Sequence, residues 1–202
     1  MIKNHYDITS NNKFNICDLL LLDHSYLKEC IEILKDENAD KKTKFKIGKS
    51  FIDTVKKHSL AEEKTVYTPL LKVEDLHKKI IEGEIEHKLA EDKAKFLEKK
   101  ISTVRNLTEE LEMELKVLAE LVNHHLQEEE KEVIPKMRKG LDIEILNEMG
   151  MQFLRLRKFT AKDLEDYPAL RSEISTINSL SNRFPARFLD KIQENFSPRF
   201  ST

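Results

Sequence analysis

The chain has 202 residues, 39% hydrophobic and 36% charged, with only 4 Gly and 5 Pro, which is the composition of long amphipathic helices and argues against a sheet protein. A net charge of -2 gives no electrostatic case for nucleic acid or an anionic membrane as a partner, and the absence of Trp leaves any stacking platform to Phe and Tyr. Two cysteines, Cys17 and Cys30, fit a reducing cytoplasm better than a disulfide scaffold, no apolar signal-peptide region opens the chain, and the longest apolar run, Leu19 to Leu22, is too short to span a bilayer.

Residues 1–14 are polar and read as a loose arm carrying His5. A first helix is expected from Asn15 to Asp36, with Ile16, Leu20, His24, Leu27, Ile31 and Leu34 inward at spacings of three and four. A second, from Thr43 to Leu71, turns Phe51, Val55, His58, Glu62, Thr65 and Pro69 inward. A third runs from Glu74 to Ser102 through Leu76, Ile80, Gly83, His87, Ala90 or Glu91, Ala94, Leu97 and Ile101. Asn106 and Glu109 read as an N-cap and its capping-box partner. The fourth helix then carries Leu111, Leu115, Leu118, Val122, His125 and Glu129 to about Arg138, where Lys139-Gly140 ends it. The bundle thus occupies residues 15–139. Residues 140–202 form a helical extension on or near it: an amphipathic helix, Leu141 to Lys158, with Ile145, Met149, Phe153 and Leu156 inward, then Tyr167-Pro168 and two Phe-x-x-Arg-Phe copies, Phe184 to Phe188 and Phe196 to Phe200.

The polar residues on these buried stripes share one level. In an up-down-up-down bundle, residues at one depth are equidistant from the turn joining their helices. His24 and His58 centre on residue 41, His58 and His87 on 72–73, and His87 and His125 on 106, each in a predicted turn. The halves also repeat. A lone His is followed 34 residues later by His58-x-x-x-Glu62, and a second lone His 38 residues later by His125-x-x-x-Glu129, a pattern with approximate two-fold symmetry.

On a helix, positions i and i+4 share a face, so each His-x-x-x-Glu can present an imidazole and a carboxylate to one ion. A single such pair in a chain this charged is usually solvated, and a lone His on an apolar face is usually a satisfied core residue. Four histidines and two carboxylates at one buried level are costly unless an ion pair of metals satisfies them. The metal ligands read from the sequence are therefore His24, His58, Glu62, His87, His125 and Glu129. Histidine and carboxylate without Cys suit iron, manganese or zinc. No Gly-rich phosphate loop, nucleophile elbow or helix-turn-helix signature appears, and no catalytic residue is assigned.

The pattern His, His-x-x-x-Glu, His, His-x-x-x-Glu, here Asp23-His24, His58 to Glu62 with Glu63 and Tyr67, Glu86-His87, and His125 to Glu129 with Glu130, Ile134 and Pro135, resembles the hemerythrin-like (HHE cation-binding) family over about residues 16–157. The resemblance implies an all-α four-helix bundle holding two iron ions, oxo- or hydroxo-bridged, with manganese or zinc also compatible. It implies that Glu62 and Glu129 bridge, that His24 and His58 hold one iron, and that His87 and His125 hold the other. His125 is preferred to His124, which has its own partner Glu128, because it continues the Leu118–Val122 stripe and stands ten residues before Pro135.

Oxygen-carrying hemerythrins also have a His-x-x-x-His on the third helix. Here Gly83 stands four before His87 and Glu91 four after, so a carboxylate (Glu91, Glu63 or Glu84) or water completes the site. That departure favours chemistry with O2, peroxide or NO over simple carriage, and leaves carrier, enzyme and sensor open. The expected partner is such a small ligand, with neither nucleic acid nor membrane. The basic, Phe-rich stretch beyond residue 182 suggests, as the alternative, an iron- or oxygen-responsive module contacting a protein partner.

Overall fold

The computed structural model describes residues 15–158 together with Phe188, Ile192 and Phe196. The expected arm 1–14, the Tyr167-Pro168 step and the remainder of the two Phe-x-x-Arg-Phe copies lie outside the described residues. Within them there are five helices and no strand, and no helix is long and apolar enough to cross a membrane. α1 spans Ile16–Lys35. α2 spans Lys41–Glu62 and continues through a π turn, Glu63–Tyr67, into Thr68–Leu70. α3 spans Glu74–Thr103. α4 spans Glu109–Glu128 and continues through a second π turn, Glu129–Val133, into Ile134–Gly140. α5 spans Ile143–Arg157.

Local chemistry sets these boundaries. Asn15 accepts from the Asp18 amide at 3.1 Å and starts α1. Asp40 Oδ1 accepts from the Lys42 and Thr43 amides, both at 3.0 Å, and so begins α2 at Lys41 rather than Thr43. α4 is capped by Thr108, whose hydroxyl accepts from the Leu111 amide at 3.2 Å. Asn106 is not its cap as expected, because Leu107 is buried and the chain stays extended through Thr108 to place it. At the far end Gly140 is the last helical residue of α4, not a left-handed stop; no described glycine has positive φ. A Cβ there would overlap the Phe196 ring, so the glycine serves a close approach.

The four long helices pack in ring order, α1 on α2, α2 on α3, α3 on α4 and α4 on α1, while α5 lies across α1 and α2. This is the adjacency that antiparallel helices joined by short turns require. The stripes read from periodicity form the interior, with Ala90 rather than Glu91 on the buried face of α3. They make two apolar clusters. One, at the end nearer α5, includes Ile16, Leu20, Tyr67, Leu70, Ile80, Ile134, Met149 and Phe153, and takes in Phe188 and Ile192. The other includes Leu27, Ile31, Phe51, Val55, Leu97, Leu115, Val122 and Leu126. Neither cluster contains a histidine or glutamate; the polar level lies between them.

Candidate metal centre

The six predicted residues come from four different helices and are all buried: His24 on α1, His58 and Glu62 on α2, His87 on α3, His125 on α4 and Glu129 at the start of its π turn. The imidazoles adjoin in series, with ring centroids 5.2 Å apart for His24 and His58, 6.3 Å for His58 and His87, and 4.4 Å for His87 and His125. Each turns Nε2 toward a glutamate oxygen. Glu62 Oε2 lies 3.0 Å from His58 Nε2 and 3.5 Å from His87 Nε2. Glu129 Oε2 lies 3.4 Å from His125 Nε2 and 3.5 Å from His24 Nε2. Each carboxylate therefore stands between one histidine of the first half of the chain and one of the second.

Among the described residues ligand-competent atoms gather in two buried groups, His24 with His58, Glu62 and Glu129, and Glu62 with His87 and His125, and in a third, partly exposed one, Glu86 with His124 and Glu128. Glu62 belongs to both buried groups. Several of the inward atoms are buried with no hydrogen-bond partner: Nε2 of His24, His58 and His87, both oxygens of Glu62, and Oε2 of Glu129. Buried polar atoms are nearly always satisfied, so six orphans converging on one point fit a pair of cations.

Three of the four outward nitrogens are held by a second ring of carboxylates, and the fourth, His87 Nδ1, has no hydrogen-bond partner. Asp23 faces His58 Nδ1 at 3.1 Å and Glu86 faces His125 Nδ1 at 2.8 Å. Glu130 faces His24 Nδ1 at 3.1 Å, and Glu63 stands 3.7 Å from His87 Nδ1. These are the residues immediately before each lone His and immediately after each ligand-type Glu, so the ring repeats with the halves. Such partners fix an imidazole's tautomer and aim its other nitrogen inward. Arg157 of α5 reaches in to Asp23 (Nε to Oδ2 2.5 Å, Nη2 to Oδ1 3.1 Å), and Lys28 pairs with Glu130 at 2.6 Å. Sequence reasoning singled out the doublets Asp23-His24, Glu62-Glu63, Glu86-His87 and Glu129-Glu130, offered Glu63 as a further ligand, and gave Asp23, Glu86 and Glu130 no task. Nothing local marked Arg157.

Electrostatics follow this arrangement. Burial alone would lower His58 and His125, but the charge of Glu62 and contact with Asp23 carry His58 up to about 9, and Glu129 with Glu86 carries His125 up to about 10. Burial works against Glu129 ionising, and the surrounding imidazoles, His125 first, hold it well below the usual carboxylate range. Burial likewise opposes ionisation of Asp23, and Arg157 with His58 overcomes it. His87, buried and beside His125, is lowered. Glu129 and Asp23 are thus ionised.

Of the other residues weighed from sequence, His124 is exposed, 3.6 Å from Glu86 and 3.7 Å from Glu128, on the outside of α4. His77 is exposed and faces the Leu71 carbonyl. Glu63 stands at the outer side of His87, and Glu84 and Glu91 join neither buried group. Tyr67 proves central. It is buried, stacks on His87 at 4.9 Å, donates its hydroxyl to Glu129 Oε1 at 2.5 Å and lies 3.4 Å from His125 Nε2. A small enclosed cavity, with about 10 Å3 of room for a water-sized molecule, sits against His58, His87 and His125 and is otherwise lined by Leu27, Val55, Ser59, Ala90, Val122 and Leu126.

The family model for the hemerythrin HHE cation binding domain matches residues 15–137, well over half of the chain. No curated protein and no solved structure matches significantly.

Proposed function

The chain belongs to the hemerythrin HHE cation-binding family, and from that premise we propose that it is a non-haem di-iron protein that binds or reacts with O2, peroxide or nitric oxide. His24 and His58 hold one ion, His87 and His125 the other, and Glu62 and Glu129 bridge them. The observation that carries this reading is the sharing of each buried glutamate between histidines of opposite halves, with the inward atoms left unpartnered. Neutral imidazoles and ionised carboxylates are the forms a metal takes. Manganese or zinc fits the same donors, and the choice of iron rests on the family resemblance alone.

A pair of iron ions in this setting supplies reversible binding or reduction of a small oxygen- or nitrogen-oxide ligand. The protein's part is to hold and to exclude. Asp23, Glu86 and Glu130 orient three of the imidazoles, and the two apolar clusters keep bulk water from both sides of the polar level. The cavity beside His58, His87 and His125 is at most the size of one water molecule. Its lining is mostly apolar, which suits O2 and NO.

Metal analysis of the full chain, with optical spectra of the anaerobically reduced protein before and after air, tests the reading. About two iron ions per chain and a new absorption band after air are expected. Iron-free, colourless protein whose spectrum ignores added Fe(II) overturns it. A stable, reversible adduct assigns a carrier; oxidation without one assigns redox chemistry.

A second reading, a metal- or oxygen-responsive module, is favoured by one specific contact. Arg157 ties α5 to Asp23 and so to His58, while Phe188 and Ile192 pack into the apolar cluster beside α5. If the site signals through this route, removing metal or reducing it changes the protease sensitivity of the C-terminal segment. Identical digestion patterns in both states defeat that reading.

A further inference from the structure

The two halves of the centre repeat in their histidines and glutamates, which makes their one mismatch informative. A π turn begins directly after Glu62, Glu63–Tyr67, and at Glu129 itself, Glu129–Val133. In both, the amide after the turn bonds back five residues, Thr68 to Glu63 and Ile134 to Glu129. A π turn carries a residue five positions on back toward the glutamate's own side. In the first half that residue is Tyr67; in the second, counted from Glu129, it is Ile134. The residues four before the lone histidines are likewise paired, Leu20 before His24 and Gly83 before His87. Around His24 the repeat therefore places two buried aliphatic residues, Leu20 and Ile134. Around His87 it places a phenol and a glycine.

Gly83 and Tyr67 are matched in shape. A Cβ on Gly83 would stand 2.5 Å from Tyr67 Oη and 2.9 Å from Cζ, so the absent side chain is the space the phenol occupies. The ring stacks on His87, and Oη is within 2.5 Å of Glu129 Oε1 and 3.4 Å of His125 Nε2. Metal–oxygen and metal–imidazole bonds are about 2.0–2.2 Å long. Oη thus lies within reach of an ion held at His125 Nε2 and Glu129.

We propose that Tyr67 is an oxygen ligand of the ion held by His87 and His125, filling the position vacated at Gly83, and that the two ions are chemically unequal because Ile134 and Leu20 offer the other ion no such donor. The inference rests on the di-metal reading above. The ligand form is the phenolate. Its proton leaves to solvent when the ion binds, as it does for other protic metal ligands, and the hydrogen bond to Glu129 is exchanged for the bond to the ion. No electron moves in this step.

The test uses the full chain, loaded with iron and oxidised in air, as wild type and as Tyr67→Phe, which removes only the hydroxyl. A ferric ion bound by a phenolate has a visible phenolate-to-iron charge-transfer band, and excitation in that band enhances tyrosine ring vibrations. Wild type is expected to show both. Tyr67→Phe is expected to keep two irons, lose both signals, and release one of its two irons to a competing chelator with an affinity about tenfold weaker. Two irons in each protein with superimposable spectra overturn this inference and leave the di-iron reading standing. Failure of wild type to take up iron overturns both. If Tyr67→Phe does not fold, ring-deuterated tyrosine in the wild type decides: enhanced modes that shift with the label support the assignment, and their absence overturns it.

Discussion

At the scale of single residues, the most consequential is one that is not itself a ligand. Asp23 joins His58 to Arg157, and all three are buried. Asp23→Asn keeps the shape but removes the charge, so it is expected to weaken metal binding about 10–100-fold, the range for partners of ligating histidines. It also removes the charge that Arg157 pairs with, which lowers the stability of the folded chain. Arg157→Met separates the two effects. It disturbs stability similarly but leaves Asp23 on His58, so chelator competition should register a smaller loss of affinity than for Asp23→Asn; equal losses show that His58 is not held by Asp23. Cys17 offers a pH test away from the centre. Burial pushes its thiol from an ordinary 9.0 to about 12. The folded state then keeps its proton longer than the unfolded one. Its contribution is intact below pH 9 and is lost as pH rises toward 12. The unfolding midpoint of Cys17→Ala should therefore fall less steeply than that of wild type between pH 9 and 12, and parallel slopes refute the assignment.

At the scale of elements, the helices were legible where hydrophobic period alone decides them. The stripe Ile16, Leu20, His24, Leu27, Ile31, Leu34 is buried throughout because one face of α1 meets both neighbours. The π turns were not legible. Glu63–Tyr67 and Glu129–Val133 precede Pro69 and Pro135, and each helix continues through its proline, as its expected end at Leu71 or Arg138 required. The extra residue in each π turn re-registers the backbone ahead of the proline, and nothing in residue type signals it. The Asn106 cap failed because a cap is chosen by where Leu107 must go, not by side-chain preference alone. Gly140 was misread for a similar reason: its conformation is ordinary and its neighbour, Phe196, is 56 positions away. A double-mutant cycle exposes that contact. Gly140→Ala should destabilise wild type by about 1–3 kcal/mol through overpacking. In a Phe196→Ala background it should be neutral or stabilising, since Ala is the better helix former by about 1 kcal/mol. Additive effects in thermal unfolding show that Phe196 does not rest on Gly140.

At the scale of the whole molecule, the polar level divides the interior. One apolar cluster gathers the ends near α5 and the other the opposite half of the bundle, with the imidazoles and glutamates between. Without ions this layer contributes less cohesion, because most of its inward atoms lack a hydrogen-bond partner. With ions bound, one set of bonds crosses all four long helices and couples the two clusters. Free metal at about 1,000 times its dissociation constant adds about 4 kcal/mol to folding stability. For a chain of this size each kcal/mol moves the unfolding midpoint by about 2–4 °C, so chelation should lower it by about 8–16 °C. The loss should also be uneven. Amide exchange should accelerate most in α2 and α4 next to Glu62 and Glu129, where π turns already depart from regular helix bonding, and in α5, which reaches the centre through Arg157. The innermost turns around Leu111 and Leu115, packed in the distant cluster, should stay protected. Exchange mass spectrometry with and without a chelator measures both. Unchanged protection in all helices, with a midpoint indifferent to chelation in protein that holds two ions, refutes the coupling.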